Sequence, residues 1–389
     1  MALSRTILRN IRDSHARQLA HFELPNERMP PGKTPPDSYL TLEDTIDWIK
    51  ANPGALQAAK DAQCTSQSPS SPNWNTVFFT LVESAGVSFR KEDEIFEAII
   101  AARKGDFDSA ISHIEKSQET INEVAKALDC TFVQLCDFHD ESPQGSCLHS
   151  GAFCGLFVSN DKSKPFMGVT YKGTSNAREI ITDLDWVTMA PDPPEIAWGA
   201  LVHSGFFKGL FGKFKTAKYE VAFDVMLDQL TKAYDDHGDK PILHFTGHSL
   251  GGAYCTLTYG EFLRRQDEPR IAKFHFGDMY SLAAPRVCTP PFFQKVSELT
   301  PSGGRRYLFR IVNQDDPVPT IPPPEKDQLQ QYPYVHVGGA WELLESEGPR
   351  KMQDEPPPVD PQPIPDIILN APHHQINEYY ANWQNAPHA

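Results

Sequence analysis

The chain has 389 residues, of which 40% are hydrophobic and 11% aromatic, enough to build a sizeable core in one large domain or two moderate ones. Its formal net charge of −15 argues against nucleic acid and against anionic membranes as partners. No stretch of the sequence reaches the roughly 18 apolar residues of a membrane-spanning helix.

The first 128 residues are predicted to form a helical extension with Pro- and Ser-rich loops. Met1–Ser14 has the pattern of a basic amphipathic helix, and Thr41 opens a capping box. Apolar residues recur at helical spacing from Lys91 to Leu128. The chain is therefore divided into this extension, residues 1–128, and a main domain, residues 129–389.

A predicted strand, Phe166–Lys172, precedes a segment with an apolar stripe. The stripe has the i, i+3, i+4, i+7 spacing of one helix face, and Trp186 lies just beyond it. Its members are Ala177, Ile180, Ile181 and Leu184. The pattern alone favours a surface helix that packs on the core.

Four phenylalanines are interspersed with lysines and glycines over Phe206–Lys215. One interpretation is a contact with a lipid–water interface. The other, which the two glycines favour, is a turn into a long helix, Ala217–Asp235, with the aromatic rings buried.

The run Phe245–Gly252 contains a G-x-S-x-G motif centred on Ser249. An apolar run of strand character precedes it and a segment with helical spacing follows it, which is the context of a nucleophile elbow. A sharp strand-to-helix turn needs glycine at positions 247 and 251, because side chains there would prevent the turn from closing. The sequence therefore indicates a nucleophilic serine.

Such a serine needs a carboxylate and a base, which follow it in the order acid, then histidine. A predicted strand over residues 306–312 runs into a proline-stiffened loop that carries Asp315 and Asp316. Asp316, directly before a proline, is preferred as the acid. The base is expected near the end of the sequence, at His373 or His374, with His336 as a rival.

With this serine, acid and histidine in this order, the chain resembles the class 3 lipase family, which includes fungal triacylglycerol lipases and feruloyl esterases. The resemblance spans roughly residues 153–383 and depends on the order of several motifs. They are Val169-Thr-Tyr-Lys-Gly-Thr174, Asp183-Leu-Asp-Trp186, Val202-His-Ser-Gly-Phe206, Thr246-Gly-His-Ser-Leu-Gly-Gly-Ala253, Ala283-Ala-Pro-Arg-Val287, Asp316-Pro-Val-Pro319, and His374 with Tyr379 behind it.

The resemblance implies an α/β-hydrolase fold, with a mostly parallel central sheet flanked by helices. It implies Ser249 as nucleophile, Asp316 as the acid and His374 as base, since a tyrosine usually follows the family's histidine. It places the oxyanion donors at Thr174 and Leu250. The family commonly has arginine where this chain has Lys172, which puts any structural ion pair there in doubt.

The resemblance also implies a lid over the serine, formed by the stripe described above and Trp186. The reaction would need neither a metal ion nor an organic cofactor. It would be the hydrolysis of carboxylic esters, most readily acylglycerols or related lipid esters. The alternatives are an esterase for short or aromatic acyl groups and a catalytically silent lipase-like scaffold.

The sequence lacks a recognisable secretory signal and any Asn-x-Ser/Thr sequon, and its seven cysteines are an odd number. These features together favour an intracellular, cytoplasmic protein with reduced thiols over a secreted one.

Overall fold

The computed structural model describes residues 3–22, 40–63, 71–141, 148–173, 187–214, 218, 220–300, 306–322, 333–352 and 371–387. The helices of these ranges are α1 (Arg5–Leu19), α2 (Leu42–Ala51), α3 (Pro53–Gln63), α4 (Trp74–Ser88), α5 (Glu92–Arg103), α6 (Phe107–Ser117), α7 (Glu119–Ala127), α8 (Ser204–Phe211), α9 (Ala222–His237), α10 (Leu250–Arg264), α11 (Pro269–Ala272), α12 (Pro290–Leu299) and α13 (Ile376–Trp383).

The strands are β1 (Cys130–Glu141), β2 (Leu148–Ser159), β3 (Phe166–Tyr171), β4 (Thr188–Met189), β5 (Val202–His203), β6 (Lys213–Phe214), β7 (Glu220–Val221), β8 (Ile242–His248), β9 (His275–Leu282), β10 (Leu308–Asn313), β11 (Gly339–Leu343) and β12 (Arg350–Lys351). Short 3-10 turns lie at Ile196–Gly199, Val318–Thr320 and Ala371–His374.

The central sheet has the strand order β1-β2-β3-β8-β9-β10-β11-β12. The pairs from β3 to β11 are parallel, whereas β1, β2 and β12 join antiparallel. Helices cover both faces, so the predicted α/β-hydrolase fold is confirmed. Because parallel strands end at one edge, the ends of β3, β8 and β10 meet there, and this edge carries the site.

One face of the sheet packs against α1, α9 and α10. Its apolar cluster joins Ile11, Met226 and Leu257 to inward-facing residues such as Val169 of β3. Each such side chain contributes roughly 1.5–3 kcal/mol by leaving water. The helix that follows the candidate serine is thus fixed by the core along its length.

The other face packs against α2, α4, α7 and α13. Its cluster brings Trp48 and Phe78 from early in the sequence together with Trp383 from α13, against Ile311 of β10. The capping box at Thr41 is present, because the Thr41 hydroxyl accepts from the Asp44 N–H and the Asp44 carboxylate accepts from the Thr41 N–H. Early and late segments of the chain therefore form a single layer.

Helical structure over residues 91–128 is confirmed by α5, α6 and α7. Helices of the first 128 residues contribute to both apolar clusters. The division into an extension, 1–128, and a hydrolase domain, 129–389, stays a prediction.

The four phenylalanines of residues 206–215 lie in the core. Phe206, Phe207, Phe211 and Phe214 are all at most 6% exposed, and the first three belong to α8. Contact between these rings and a lipid–water interface is therefore a wrong interpretation. The predicted burial of the rings is right, but the predicted turn is wrong, because most of the segment forms helix α8. The long helix that follows begins at Ala222, later than predicted. No helix among the described ranges has the length and apolar character needed to cross a bilayer.

Candidate active site

Ser249 lies between the end of β8 and the start of α10, as the elbow motif predicts. Its backbone has φ 60° and ψ −127°, a strained conformation for a residue with a side chain. The Ser249 N–H donates to the Leu282 carbonyl of β9 at 2.9 Å, while the Ser249 carbonyl accepts from Gly252 in the first turn of α10. Hydrogen bonds to the sheet on one side and to the helix on the other maintain this strained conformation.

The two elbow glycines have no room for a side chain. A Cβ on Gly247 would lie 2.3 Å from the Gly251 carbonyl oxygen, and one on Gly251 would lie 2.2 Å from the Tyr171 carbonyl oxygen. The steric reason expected for these glycines is confirmed. The second contact also brings the helix start close to the end of β3.

The structure brings Ser249, His374 and Asp316 into one hydrogen-bonded row. The Ser249 hydroxyl donates to His374 Nε2 at 2.9 Å, and His374 Nδ1, which donates to Asp316, lies 3.0 Å from both of its carboxylate oxygens. All three residues are at most 4% exposed. The row can therefore move a proton from the serine hydroxyl to the imidazole with little competition from water.

Two further groups fix the Asp316 carboxylate. Its Oδ2 accepts from the Tyr379 hydroxyl at 2.5 Å, and its Oδ1 accepts from the Val318 N–H at 2.9 Å. Burial, and then the negative charge of Asp316, raise the pKa of Tyr379 well above its usual range, so the phenol remains a donor. With the imidazole, these donors fix the position of the carboxylate beside His374.

A second histidine lies beside the row. The His248 ring is 4.7 Å from the His374 ring and 5.6 Å from the Tyr379 ring. Burial lowers the pKa of His248 well below its usual value, and the neighbouring His374 lowers it further. His248 is therefore a neutral wall of the site rather than a second base.

Leu250 is the first residue of α10, where backbone N–H groups have no partner inside the helix and the helix dipole is positive. That placement suits an oxyanion donor. The other predicted donor, Thr174, lies outside the described residues, as do the lid candidates Ala177, Ile180, Ile181, Leu184 and Trp186. Their roles stay predictions.

Lys172, where the family commonly has arginine, does have an ionic partner. Its Nζ lies 3.4 Å from the Glu92 carboxylate at the start of α5. Burial lowers the pKa of Lys172, which the negative charge of Glu92 partly offsets. The doubt about an ion pair at this position was therefore unfounded.

The rival acid and bases lie elsewhere. Asp315 is exposed, with φ 59°. His336 Nε2 donates to the Pro319 carbonyl at 2.8 Å and is buried away from Ser249. His373 contributes its backbone carbonyl, which accepts from Asn313. The geometry thus favours Asp316 and His374 over these three.

Sequence reasoning missed Asn313 and Asn382, and it treated Tyr379 only as a family marker. Asn313 Nδ2 donates to the His373 carbonyl at 3.0 Å, and Asn382 Nδ2 donates to Asn313 Oδ1 at 2.6 Å. The one available signal was that Asn313 is a polar residue at the buried end of a predicted strand. Nothing in the sequence connects it with a turn 60 residues later.

The family model described as Lipase (class 3) matches residues 168–326. A curated relative, secreted mono- and diacylglycerol lipase 1 of Fusarium solani, is 29% identical over 202 residues, which is 51% of this chain and 53% of that protein. This chain thus spans about half the length of the curated relative it matches.

Two solved structures are similar over most of the chain. A mutant form of MDLA from Penicillium cyclopium has 18% identity and a TM-score of 0.48, covering 80% of this chain and 95% of that one. Lipase II from Rhizopus niveus has 21% identity and a TM-score of 0.42, covering 68% of this chain and 79% of that one.

The interpretation as an intracellular, cytoplasmic protein is wrong, because the Fusarium solani relative is named as secreted. The cysteines carry no information about the compartment, for a physical reason. The five described cysteines are free and buried, and burial raises the pKa of thiols such as Cys136 and Cys154, so these thiols are inert in either redox compartment. Residues 168–326 match the model of the class 3 lipase family, the family that the ordered motifs resemble.

Proposed function

We propose that this protein is a serine hydrolase that cleaves carboxylic esters, with acylglycerols or related lipid esters as substrates. The observation that carries the proposal is the continuous row from the Ser249 hydroxyl through His374 to Asp316, with distances of 2.9 and 3.0 Å. The relative named as a mono- and diacylglycerol lipase supports the substrate class.

In the proposed reaction, His374 takes the proton of Ser249 as its oxygen attacks the ester carbonyl carbon. The negative charge on the resulting tetrahedral intermediate is stabilised by the N–H groups of Leu250 and Thr174. In comparable sites each such donor contributes about 3 kcal/mol. His374 then protonates the leaving alcohol, which departs and leaves an acyl group on Ser249.

In the second half of the reaction, His374 takes a proton from water, which attacks the acyl-enzyme and releases the fatty acid. Asp316 accepts the Nδ1 hydrogen bond of His374 and stabilises the imidazolium that forms twice per cycle. Neither half of the reaction calls for a metal ion or an organic cofactor.

If the predicted lid covers the serine, the protein should act on lipid substrates at a lipid–water interface. The exposure of Val187 supports this expectation. Val187 is the first described residue after the stripe, and its side chain is the large hydrophobic one that is exposed in the described ranges, at 52%. We propose that Val187 meets the lipid surface. An increase of activity when a short-chain triacylglycerol passes its solubility limit would support it, and a hyperbolic dependence through that limit would contradict it.

The proposal is tested by labelling with a fluorophosphonate, followed by peptide mass spectrometry, and by hydrolysis of mono-, di- and triacylglycerols. We expect the label on Ser249, loss of labelling in Ser249→Ala, and release of fatty acid. Hydrolysis confined to p-nitrophenyl acetate or to feruloyl esters would favour the esterase alternative. Neither label nor turnover would favour the silent scaffold.

A further inference from the structure

Asn313 lies where three parts of the candidate site meet. It is the last residue of β10, and its side chain is fully buried. Its backbone carbonyl accepts from the Asp316 N–H at 3.2 Å, its Nδ2 donates to the His373 carbonyl at 3.0 Å, and its Oδ1 accepts from Asn382 Nδ2 at 2.6 Å. One residue thus contacts the loop of the acid, the turn of the base and helix α13.

The orientation of the Asn313 side-chain amide follows from what its two partners can donate or accept. The carbonyl of His373 can only accept, so the Asn313 amide must present its N–H₂ group to that carbonyl. Asn313 Oδ1 then faces Asn382, which must donate in turn. Asn382 is also buried, so water is not available to replace either bond.

We propose that Asn313, oriented by Asn382, is a positioning residue that sets the distance between His374 and both Ser249 and Asp316. This inference depends on the proposed function, since it concerns the same serine, histidine and carboxylate. Asn313 does not touch the reacting atoms and acts through the backbone of the base.

Such a residue is needed because His374 lies on a short turn outside the sheet. His374 lies 58 residues after Asp316, on the single 3-10 turn Ala371–His374 rather than on a strand of the sheet. A displacement of about 1 Å at a reacting group can cost on the order of 100-fold in rate. A hydrogen bond to the carbonyl next to His374 restrains that displacement directly, and it starts from a buried strand.

The test compares Asn313→Ala and Asn382→Asp with the wild type, using a soluble p-nitrophenyl ester and active-site titration with a fluorophosphonate. We expect kcat per titrated site to fall about 10- to 100-fold in Asn313→Ala, with KM within about two-fold. Asn382→Asp keeps the side-chain volume but offers Asn313 only acceptors. It should turn the Asn313 amide, lose the bond to His373 and lower kcat in the same way.

Asn385→Ala is the matched control. Asn385 also uses its amide to donate to backbone carbonyls, those of Leu344 and Glu345, but it makes no contact with the row. We expect a lower unfolding temperature in this variant and an unchanged kcat. A purely structural role for Asn313 would give the control's pattern and would overturn the inference.

A second readout separates the inference from the proposed function. In the wild type, the His374 Nδ1 proton shared with Asp316 should give a low-field proton resonance, with or without turnover. We expect Asn313→Ala and Asn382→Asp to shift or broaden this resonance and Asn385→Ala to leave it in place.

The outcomes separate the two proposals. An inactive wild type that shows this pattern of resonances rejects the esterase activity but keeps the positioning role of Asn313. An active wild type whose resonance and kcat survive both substitutions rejects the positioning role alone. If Asn313→Ala does not fold, Asn382→Asp decides on the same criteria.

Discussion

The indole of Trp48 is stacked on the phenol ring of Tyr380, with ring centroids 4.2 Å apart and planes at 18°. Tyr380 belongs to α13, the helix directly behind His374. The same helix places Trp383 against Phe78 at 4.6 Å, and its indole N–H donates to the Trp74 carbonyl at 2.7 Å. Residues from the first 90 positions therefore form the socket that holds the helix behind the base.

Replacing Trp48 with alanine should weaken this socket. We expect a loss of roughly 3–4 kcal/mol in the free energy of unfolding, because a buried indole and its stacking partner are both left poorly packed. We also expect a fall in kcat per titrated site, because α13 and the turn before it gain freedom. Urea unfolding and ester turnover at the same temperature measure the two effects.

Trp198→Ala is the control for Trp48. Trp198 makes an edge-to-face contact with Phe292, at 5.6 Å, on the opposite face of the sheet. It should lose stability without any change in kcat of the folded protein. An equal loss of kcat in both variants at matched stability would contradict the idea that the socket serves the base.

Removing the Tyr379 hydroxyl, in Tyr379→Phe, should lower kcat about 5- to 10-fold and leave KM unchanged. The variant takes a donor from the Asp316 carboxylate, which then holds the imidazolium less well in the transition state. Tyr259→Phe is a matched change, because the Tyr259 hydroxyl donates to the Gly277 carbonyl at 2.6 Å, away from the row. If the two variants lose the same fraction of kcat, the Tyr379 hydroxyl has no particular effect on catalysis.

Two glycine-to-alanine changes should move stability in opposite directions. At Gly251 an added methyl group would overlap the Tyr171 carbonyl, so Gly251→Ala should destabilise the fold strongly and abolish labelling of Ser249. At Gly54, near the start of α3, a Cβ would have nothing within 4 Å. Gly54→Ala should therefore stabilise the protein by about 0.5–1 kcal/mol, with full activity. Thermal melts of both proteins check this, and a stable, active Gly251→Ala would refute the steric account of the elbow.

Asp278 makes stability depend on pH. Burial raises its pKa to about 7, although the carboxylate accepts from the Tyr307 N–H and lies near His244. The folded protein therefore binds this proton more tightly than the unfolded chain does. Stability contributed by the protonated form is present below pH 4 and is lost as the pH rises towards 7.

Asp278→Asn should remove this dependence. The amide oxygen still accepts from Tyr307, and no charge has to be buried. We expect the variant to be more stable than the wild type at pH 8, by up to about 4 kcal/mol, and to differ little from it at pH 4. Denaturant melts across this range measure the difference, and parallel curves at all pH values would be inconsistent with a raised pKa.

The parts of the fold that sequence could predict are those with local physical signals. The elbow around Ser249 combines an apolar strand, two glycines with a steric role and a helix, all within about 20 residues. The capping box at Thr41 is equally local. Asp316 could be preferred over Asp315 because the proline after it restrains the loop.

Two kinds of feature could not be predicted from the sequence. One depends on contacts between residues that are distant along the chain, and the other is a buried helix whose apolar residues do not alternate with polar ones. Helix α4 is buried on nearly every side, so its apolar residues show no helical stripe and its start at Trp74 was not predicted. On that helix Glu83 pairs with His244 of β8 at 2.7 Å, a buried contact across 161 positions. The bridge from Asn313 to Asn382 belongs to the same class.

The order of these residues along the chain also sets the order in which they are made. A ribosome completes Ser249 and its elbow 125 residues before it adds His374. The socket of Trp48, Trp74 and Phe78 has by then long been synthesised. Under the proposed function, a nascent polypeptide therefore holds Ser249 without its base until α13 has been made and has docked, and ester cleavage can begin only after that step.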